Sequence, residues 1–176
     1  IEFDINLSDQ YTDIVEQGYD LAIRIGQLED SSLIAKRLAS AEIILCASKN
    51  YLKEVNVICH PSDIEAHKLI VDTNFRGGKS WKFSNNLEQY IIQTKGKIRL
   101  NSSMAVRSFL SADLGIGICP SFIVDQEILS GDLQRILPNW SLMNLGIYVL
   151  YSNRNQLSPK ISTFVNGIST YFQSKK

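Results

Sequence analysis

The stretch from Gly18 to Ser40 constrains the possible fold more than any other part of the chain. It reads GYDLAIRIGQLEDSSLIAKRLAS, and the alternation within Asp20 to Ile25 predicts a strand. Gly26 then allows a tight turn or the close approach of a ligand to the backbone. Open α/β sheets bind ligands in this position, just outside the carboxyl ends of their strands. Since the second half offers no nucleophile, base or cluster of metal ligands, the pattern favours recognition by backbone and shape over catalysis.

Strand and helix patterns alternate along the whole chain, which predicts an α/β fold with mostly parallel sheets. The predicted strands cover residues 1–7, 20–25, 43–47, 69–71, 81–83, 115–120, 133–137 and 147–151. Alternation within 81–83 predicts an aromatic ring inward and the polar side chain outward, and residues 90–100 are expected to form a hairpin or a pair of short strands. The predicted helices run from Ser8 or Asp9 to Gln17, from Ser62 or Asp63 to His67, over 104–114, over 121–129 and onward from Pro159.

A second stretch that could bind a ligand is Asn101-Ser102-Ser103, at the start of the predicted helix 104–114. Free N–H groups and the positive end of the helix dipole make such a terminus a potential anion site. The alternative is that one serine only caps the helix while the others face water. Spacing alone leaves both interpretations open.

Charge and hydropathy argue against two classes of protein, a DNA-binding domain and a protein with membrane-spanning helices. The 176 residues contain 18 basic and 18 acidic side chains, so the net charge is zero. A neutral chain without a basic stripe is a poor DNA binder by itself, because cationic side chains supply most non-specific affinity for DNA. No apolar run approaches the roughly 20 residues that span a bilayer.

The three cysteines, Cys46, Cys59 and Cys119, are odd in number and widely spaced, so we expect them to be reduced, buried and inert. Cys59 and His60 with His67 match none of the usual zinc spacings, so we expect no metal site. No Ser/His/Asp, Cys/His or paired-carboxylate constellation stands out, and we therefore expect no catalytic residues and no enzymatic activity.

A series of short motifs runs in order over nearly the whole chain, beginning with residues 18–26 and 30–38. Its further pieces are Ala47-Ser48 with Tyr51-Leu52, Pro61-Ser62-Asp63-Ile64 with His67, Trp81-Lys82-Phe83, Gly115-Ile116 with Pro120, Gly131-Asp132-Leu133 with Leu137-Pro138 and Trp140, and Leu157-Ser158-Pro159-Lys160 with Phe164. Taken together, this series resembles the effector-binding domain of LysR-type transcriptional regulators. Lys49, Val57 and Asp113 depart from the pattern, which has proline at the first two positions and commonly glycine at the third.

The resemblance implies a two-lobed fold of the type 2 periplasmic-binding-protein kind with two crossover strands. Lobe I would comprise residues 1–44 and 146–176, and lobe II residues 45–145. The family's first strand and helix would precede Ile1, so the resemblance implies a domain truncated at its N-terminus with an incomplete lobe I.

The resemblance also implies a function in ligand sensing. A small metabolite, expected to be anionic, would bind between the lobes, with contacts from Ile25, Gly26 and Gln27 on lobe I and from Ser102 and Ser103 on lobe II. Ser48 and Thr73 would line the same cleft. We expect no cofactor, a homodimer or homotetramer, a cytoplasmic protein with no membrane partner, and DNA contact only through an N-terminal helix-turn-helix domain outside this sequence.

Two other classes stay open at this point. A solute-binding protein of a transport system would share the fold, and the unpaired cysteines with the family pattern favour the regulator. An enzyme on the same scaffold is disfavoured by the lack of a catalytic constellation.

Overall fold

The computed structural model of the chain describes residues 2–9, 14–28, 32–74, 79–152 and 158–174. The chain divides into two compact units. Unit 1 comprises Ile1–Ala41 with Asn144–Lys176, and unit 2 comprises Glu42–Met143. The family resemblance implied divisions at residues 44 and 146.

The described elements follow the predicted alternation of strands and helices. The strands are β1 (Leu21–Gly26), β2 (Leu33–Ser48), β3 (Leu69–Asp72), β4 (Ser80–Ser84), β5 (Gln89–Gln93), β6 (Ile98–Leu100), β7 (Ile116–Pro120), β8 (Leu133–Ile136) and β9 (Asn144–Ser152). The helices are α1 (Lys49–Lys53), a 3₁₀ helix (Pro61–Ala66), α2 (Ser103–Ser111), α3 (Ser121–Ser130) and α4 (Pro159–Gln173). None of the described helices combines the length and hydropathy needed to cross a membrane.

The sheet of unit 2 has the order β2-β7-β3-β6, and β8 also pairs with β2. Its centre is parallel, since β3 pairs in parallel with both β6 and β7. The pairs that β2 makes with β7 and β8 are antiparallel. Every residue of β3 and β7 is buried, as expected for strands covered on both faces.

Helices α2 and α3 cover the sheet of unit 2 with apolar side chains. Val106 and Leu110 lie one turn apart on α2 and pack with Ile70, Cys119 and Val124 in one buried cluster. Trp81 and Phe83 of the β4-β5 hairpin are buried while Lys82 between them is exposed, which confirms the predicted alternation. β5 pairs with β4, whereas β6 joins the main sheet, so residues 90–100 form a pair of separate strands and not a hairpin.

Unit 1 contains β1, β9 and the first part of β2, in the order β1-β9-β2. β1 and β9 are antiparallel, with Leu21 opposite Tyr151 and Gly26 opposite Gly146. α4 packs on these strands through Val165, which joins Leu38, Ile147 and Val149 in the core. β2 continues from unit 1 into unit 2, as the resemblance implied for a crossover strand, and the chain returns to unit 1 at Asn144, where β9 begins.

The predicted half-buried strand at residues 1–7 is wrong. The described residues Glu2–Ser8 form no strand, and Phe3, Ile5 and Leu7 are 58%, 72% and 90% exposed. Alternation gives a strand only where another strand supplies hydrogen bonds, and none of the described strands pairs with these residues. Phe3 instead packs its ring against Phe164 of α4 at 5.7 Å.

Part of the predicted helix over residues 8–17, residues 10–13, lies outside the described residues, and the described residues on either side, 8–9 and 14–17, form no helix. Ile14 to Gly18 form a turn, with Ile14 buried and Val15 exposed.

Helix α2 ends earlier than its apolar pattern predicted, at Ser111 rather than at Leu114. Asp113 follows with φ = 62°, a left-handed conformation that side chains with a Cβ rarely adopt. Gly115 has φ = 153° and lies so close to Lys68 that an added Cβ would be 2.3 Å from the Lys68 carbonyl oxygen. The backbone after α2 therefore requires glycine at position 115.

Candidate functional site

The candidate site lies at the carboxyl edge of the parallel strands of unit 2. Asp72 ends β3 directly beside Leu100, the last residue of β6, and α2 begins three residues later. Parallel strands present their carboxyl ends at the same edge of the sheet, where α/β proteins bind ligands. The short connection from β6 therefore brings the amino end of α2 to this edge.

Asp72 is the residue of this edge that the sequence analysis missed. It is only 3% exposed, and its Oδ2 accepts a hydrogen bond of 2.7 Å from Ser103 Oγ. Its Oδ1 accepts from the backbone N–H of Asn74 at 2.9 Å. The positive end of the α2 dipole adds to the stabilisation of this buried carboxylate. The available signal was a single acidic residue ending the apolar run Leu69 to Val71.

Ser102 and Ser103 play different roles at the start of α2. Ser102 is the N-cap residue with extended backbone, yet its side chain makes no capping hydrogen bond. Its carbonyl accepts from the N–H of Val106 at 3.0 Å. The hydroxyl of Ser103 points to Asp72. The interpretation in which a serine merely caps this helix is thus wrong, because the side chain of Ser102 leaves the N–H groups of the first turn uncapped.

Two hydrogen-bonded loops hold this edge together. The backbone N–H and the hydroxyl of Thr73 both donate to the carbonyl of Leu100, at 2.7 Å and 3.0 Å. The side-chain amide of Asn74 donates to the carbonyl of Asn101. The structure therefore brings together three of the predicted ligand residues, Thr73, Ser102 and Ser103.

Ser48 is not part of this group. It ends β2 opposite Leu133 of β8, and β2 runs antiparallel to β7, with Ala47 opposite Ile116 at the start of β7. Ser48 thus lies at the amino edge of β7, the reverse of the edge that carries Asp72. It is 3% exposed, and its hydroxyl caps α1 by accepting from the N–H of Tyr51 at 3.0 Å.

The three predicted ligand residues of unit 1 follow one another at the end of β1. Ile25 is 42% exposed and Gln27 is exposed. Gly26 has φ = 151°, and no atom lies within 4 Å of the position where its Cβ would be. The backbone of Gly26 is therefore open to close approach.

Neither buried cysteine has an activated thiol. Burial is the main reason why the pKa of Cys46 is raised to about 12, and Glu127 adds to it. Burial likewise raises the pKa of Cys119, and its thiol donates to the carbonyl of Ser103 at 3.5 Å. Cys59 is exposed, so the expectation that all three cysteines are buried is wrong for this one. Within the described ranges, no cluster of three or more His, Cys, Asp or Glu side chains could hold a metal ion.

An open cavity of about 1120 Å³ lies elsewhere in unit 2, lined by residues of α1, of the 3₁₀ helix and by Asp113 after α2. In its wall, the hydroxyl of Tyr51 accepts from the N–H of Lys68 and lies 3.3 Å from Nδ1 of His67. Burial lowers the pKa of His67, and Asp63 partly opposes that effect. This cavity is at the far end of α2 from Ser103, so it is separate from the candidate site.

Comparison with known families gives one match that spans almost the entire chain. Residues 1–173 match the family described as the LysR substrate binding domain.

Two curated relatives are similar over nearly all of the chain. The HTH-type transcriptional regulator PtxR of Pseudomonas aeruginosa is 31% identical over 168 residues, which are 96% of this chain and 54% of that protein. An uncharacterized HTH-type transcriptional regulator of Haemophilus influenzae is 33% identical over 174 residues, 98% of this chain and 58% of that protein. The chain therefore spans about half the length of these relatives.

Two solved structures give the same result for the fold. The full-length structure of AphB, the virulence activator of Vibrio cholerae, superposes with a TM-score of 0.83 at 26% identity, covering 96% of this chain and 57% of that one. The regulatory domain of AphB from Vibrio vulnificus superposes with a TM-score of 0.73 at 31% identity, covering 92% and 79%. The predicted fold of the periplasmic-binding-protein kind is confirmed.

Proposed function

This chain belongs to the LysR substrate-binding domain family, and from that premise we propose that it is the ligand-sensing regulatory domain of a DNA-binding transcriptional regulator. The relatives named as HTH-type regulators support this role over that of a solute-binding protein or an enzyme. In the whole protein, DNA contact would belong to a helix-turn-helix domain outside these residues. The regulator would be cytoplasmic and would act as a homodimer or homotetramer.

The proposed ligand is a small anionic metabolite bound at the amino end of α2. The observation that carries this proposal is the uncapped first turn of α2 at the carboxyl edge of the unit 2 sheet. Each N–H or hydroxyl contact to an anion there contributes about 0.5 to 2 kcal/mol. Several such contacts, less the cost of ordering the ligand, correspond to dissociation constants of roughly micromolar to millimolar size.

The family resemblance extends the proposed contacts to unit 1. We propose that the same ligand also contacts Ile25, the open backbone of Gly26 and Gln27, in the cleft between the two units. Thr73, Ser102 and Ser103 would supply the contacts from unit 2. Ser48 is left out of the proposed contacts because it lies at the other edge of the unit 2 sheet.

The test uses a carboxylate placed at the cap position. A thermal-shift screen of metabolites that carry carboxylate or phosphate groups first provides a ligand, and calorimetry then compares the parent with Ser102→Asp. Aspartate is a good N-cap, so the variant should fold while its carboxylate occupies the N–H groups. We expect affinity to fall at least tenfold.

Ser111→Asp is the matched control, since it places the same charge on an exposed residue at the other end of α2. We expect it to leave affinity within about twofold of the parent, because the dipole effect is confined to the terminal turn. Equal affinity in the parent and in Ser102→Asp would place the ligand elsewhere and overturn the proposed site.

A further inference from the structure

The direction of the hydrogen bond between Ser103 and Asp72 determines what Ser103 can offer to a ligand. A serine hydroxyl has one proton to donate and two lone pairs that accept. At 2.7 Å from Oδ2 of Asp72, that proton is directed at the carboxylate. Ser103 is therefore the donor of this pair and Asp72 the acceptor.

Two hydrogen bonds hold Asp72 as an acceptor. Besides the bond from Ser103, the N–H of Asn74 donates to Oδ1 at 2.9 Å. Asp72 is 3% exposed, so water does not compete with Ser103 for Oδ2. The proton of Ser103 is therefore unavailable to a ligand.

The hydroxyl proton of Thr73 is also already used in a hydrogen bond within the protein. Its hydroxyl donates to the carbonyl of Leu100 at 3.0 Å, which leaves only its lone pairs for a ligand. The candidate site thus has two kinds of group side by side: N–H donors in the first turn of α2, and hydroxyl acceptors at Ser103 and Thr73. A bare anion satisfies the donors but finds lone pairs at the two hydroxyls.

We propose that Asp72, acting through Ser103, makes the site selective for an anion that carries its own hydrogen-bond donor beside the anionic group. The chemical class is 2-hydroxy and 2-amino carboxylates, in preference to 2-oxo carboxylates of the same carbon skeleton. The carboxylate of the ligand faces the N–H groups of α2, and its hydroxyl or ammonium donates to Ser103. This inference rests on the proposed ligand site and adds a residue that determines its specificity.

Asp72→Asn tests the inference because it reverses one hydrogen bond at almost constant shape. The amide oxygen can keep the contact with the N–H of Asn74, while the amide nitrogen donates to the hydroxyl of Ser103. The proton of Ser103 is then free for the ligand. Removal of the charge strengthens the binding of every anion, so the informative quantity is the ratio of two affinities.

The experiment titrates the ¹⁵N-labelled chain with two matched pairs, lactate with pyruvate and 2-hydroxyglutarate with 2-oxoglutarate, and follows the amide signals of Ser103 to Val106. In the parent we expect the hydroxy acid of at least one pair to bind ten times more tightly than its oxo partner. In Asp72→Asn we expect the ratio to fall to about one or to reverse. Asp113→Asn, the same substitution at the other end of α2, should leave the ratio unchanged.

Ser103→Ala provides a second variant should Asp72→Asn fail to fold. Without the acceptor, the hydroxy acid should bind no better than the oxo acid. The inference is overturned if the parent prefers oxo acids, if neither variant changes the ratio, or if no probe shifts these amides. The metabolite screen and the Ser102→Asp variant test the ligand site itself. An anion of any chemical class that binds at the amino end of α2 would support that site, whether or not hydroxy acids bind more tightly than oxo acids.

Discussion

Strands β3 and β7 of unit 2 and strand β1 of unit 1 bury their apolar side chains to very different degrees. In unit 2, β3 and β7 are buried throughout. In unit 1, β1 keeps Ile23 and Ile25 at 47% and 42% exposure, and the segment before it exposes Phe3, Ile5 and Leu7. Both regions show strong apolar patterns in the sequence.

The difference shows that an apolar pattern states what a strand could bury but not whether anything covers it. β3 has a strand on each side and α2 packed against it. β1 lies at the end of its sheet, paired only with β9 among the described strands. The same kind of side chain therefore contributes much less to stability in β1 than in the core of unit 2, and substitutions can measure the difference.

The largest expected effect comes from a matched pair of truncations. Leu110 is fully buried, so Leu110→Ala should lower the free energy of unfolding by about 2 to 5 kcal/mol. Ile23→Ala removes atoms that are already half in water and should cost less than about 1 kcal/mol. Urea denaturation of both variants measures the difference. Equal losses would contradict the contrast between the two units.

Two glycines with nearly the same backbone angle allow a second comparison. Gly115 and Gly26 have φ = 153° and 151°, but a Cβ on Gly115 meets the Lys68 carbonyl at 2.3 Å, whereas on Gly26 it meets no atom. Gly115→Ala should cost roughly 1 to 3 kcal/mol more than Gly26→Ala, because only it adds a clash to the shared conformational strain.

Thermal unfolding of the two glycine variants beside the parent is the measurement. If Gly26→Ala destabilises as much as Gly115→Ala, the space beside Gly26 is not open, which would contradict its proposed role as a point of close approach for the ligand.

A smaller effect concerns the pH dependence of folding stability in unit 2. Both histidines of the chain lie in this unit. Burial lowers the pKa of His67, with Asp63 opposing it, so the unfolded chain takes up a proton more readily than the folded one. Stability from this group is present above the ordinary histidine pKa of about 6.5 and is lost as pH falls below it.

His67→Asn keeps an oxygen to accept from the hydroxyl of Tyr51 and removes the titration. We expect the melting temperature of the parent to drop further between pH 7.5 and 5.5 than that of the variant. Identical pH profiles would show that His67 is not protonated differently in the two states.

The smallest expected effect lies in the exposed segment of unit 1. Ile5→Thr and Leu7→Ser, both at exposed positions, should change the free energy of unfolding by no more than about 0.5 kcal/mol. They should also reduce the binding of a hydrophobic dye, since they remove exposed apolar surface. A loss of several kcal/mol would mean that these side chains are buried in solution, which would weaken the contrast between the units.

Local patterns predicted most of the elements. The run Leu69 to Val71 gave β3, the helical spacing of Val106 and Leu110 gave α2, and Ser158-Pro159 gave the start of α4. Each depends on neighbours in sequence, which is the information that a single sequence contains. The failed strand at residues 1–7 had the same local signal but no partner strand among the described residues.

The candidate site was only partly predictable for a related reason. Ser102 and Ser103 stood out because they precede an obvious helix. Asp72 lies 31 residues before Ser103, and only the register of β3 on β6 brings the two together. The same long-range information separates Ser48 from the group, since the antiparallel pairing of β2 places it at the other edge.

Asp113 has a consequence for the evolution of this chain. Its left-handed backbone, with φ = 62°, is a conformation that glycine adopts without steric cost and other residues adopt at about 1 kcal/mol or more. A single-nucleotide change converts an aspartate codon to a glycine codon, so this stabilisation is one mutational step away. A lineage that acquired it would tolerate a destabilising change at the residues proposed to contact the ligand, and a new ligand specificity could then arise without loss of the fold.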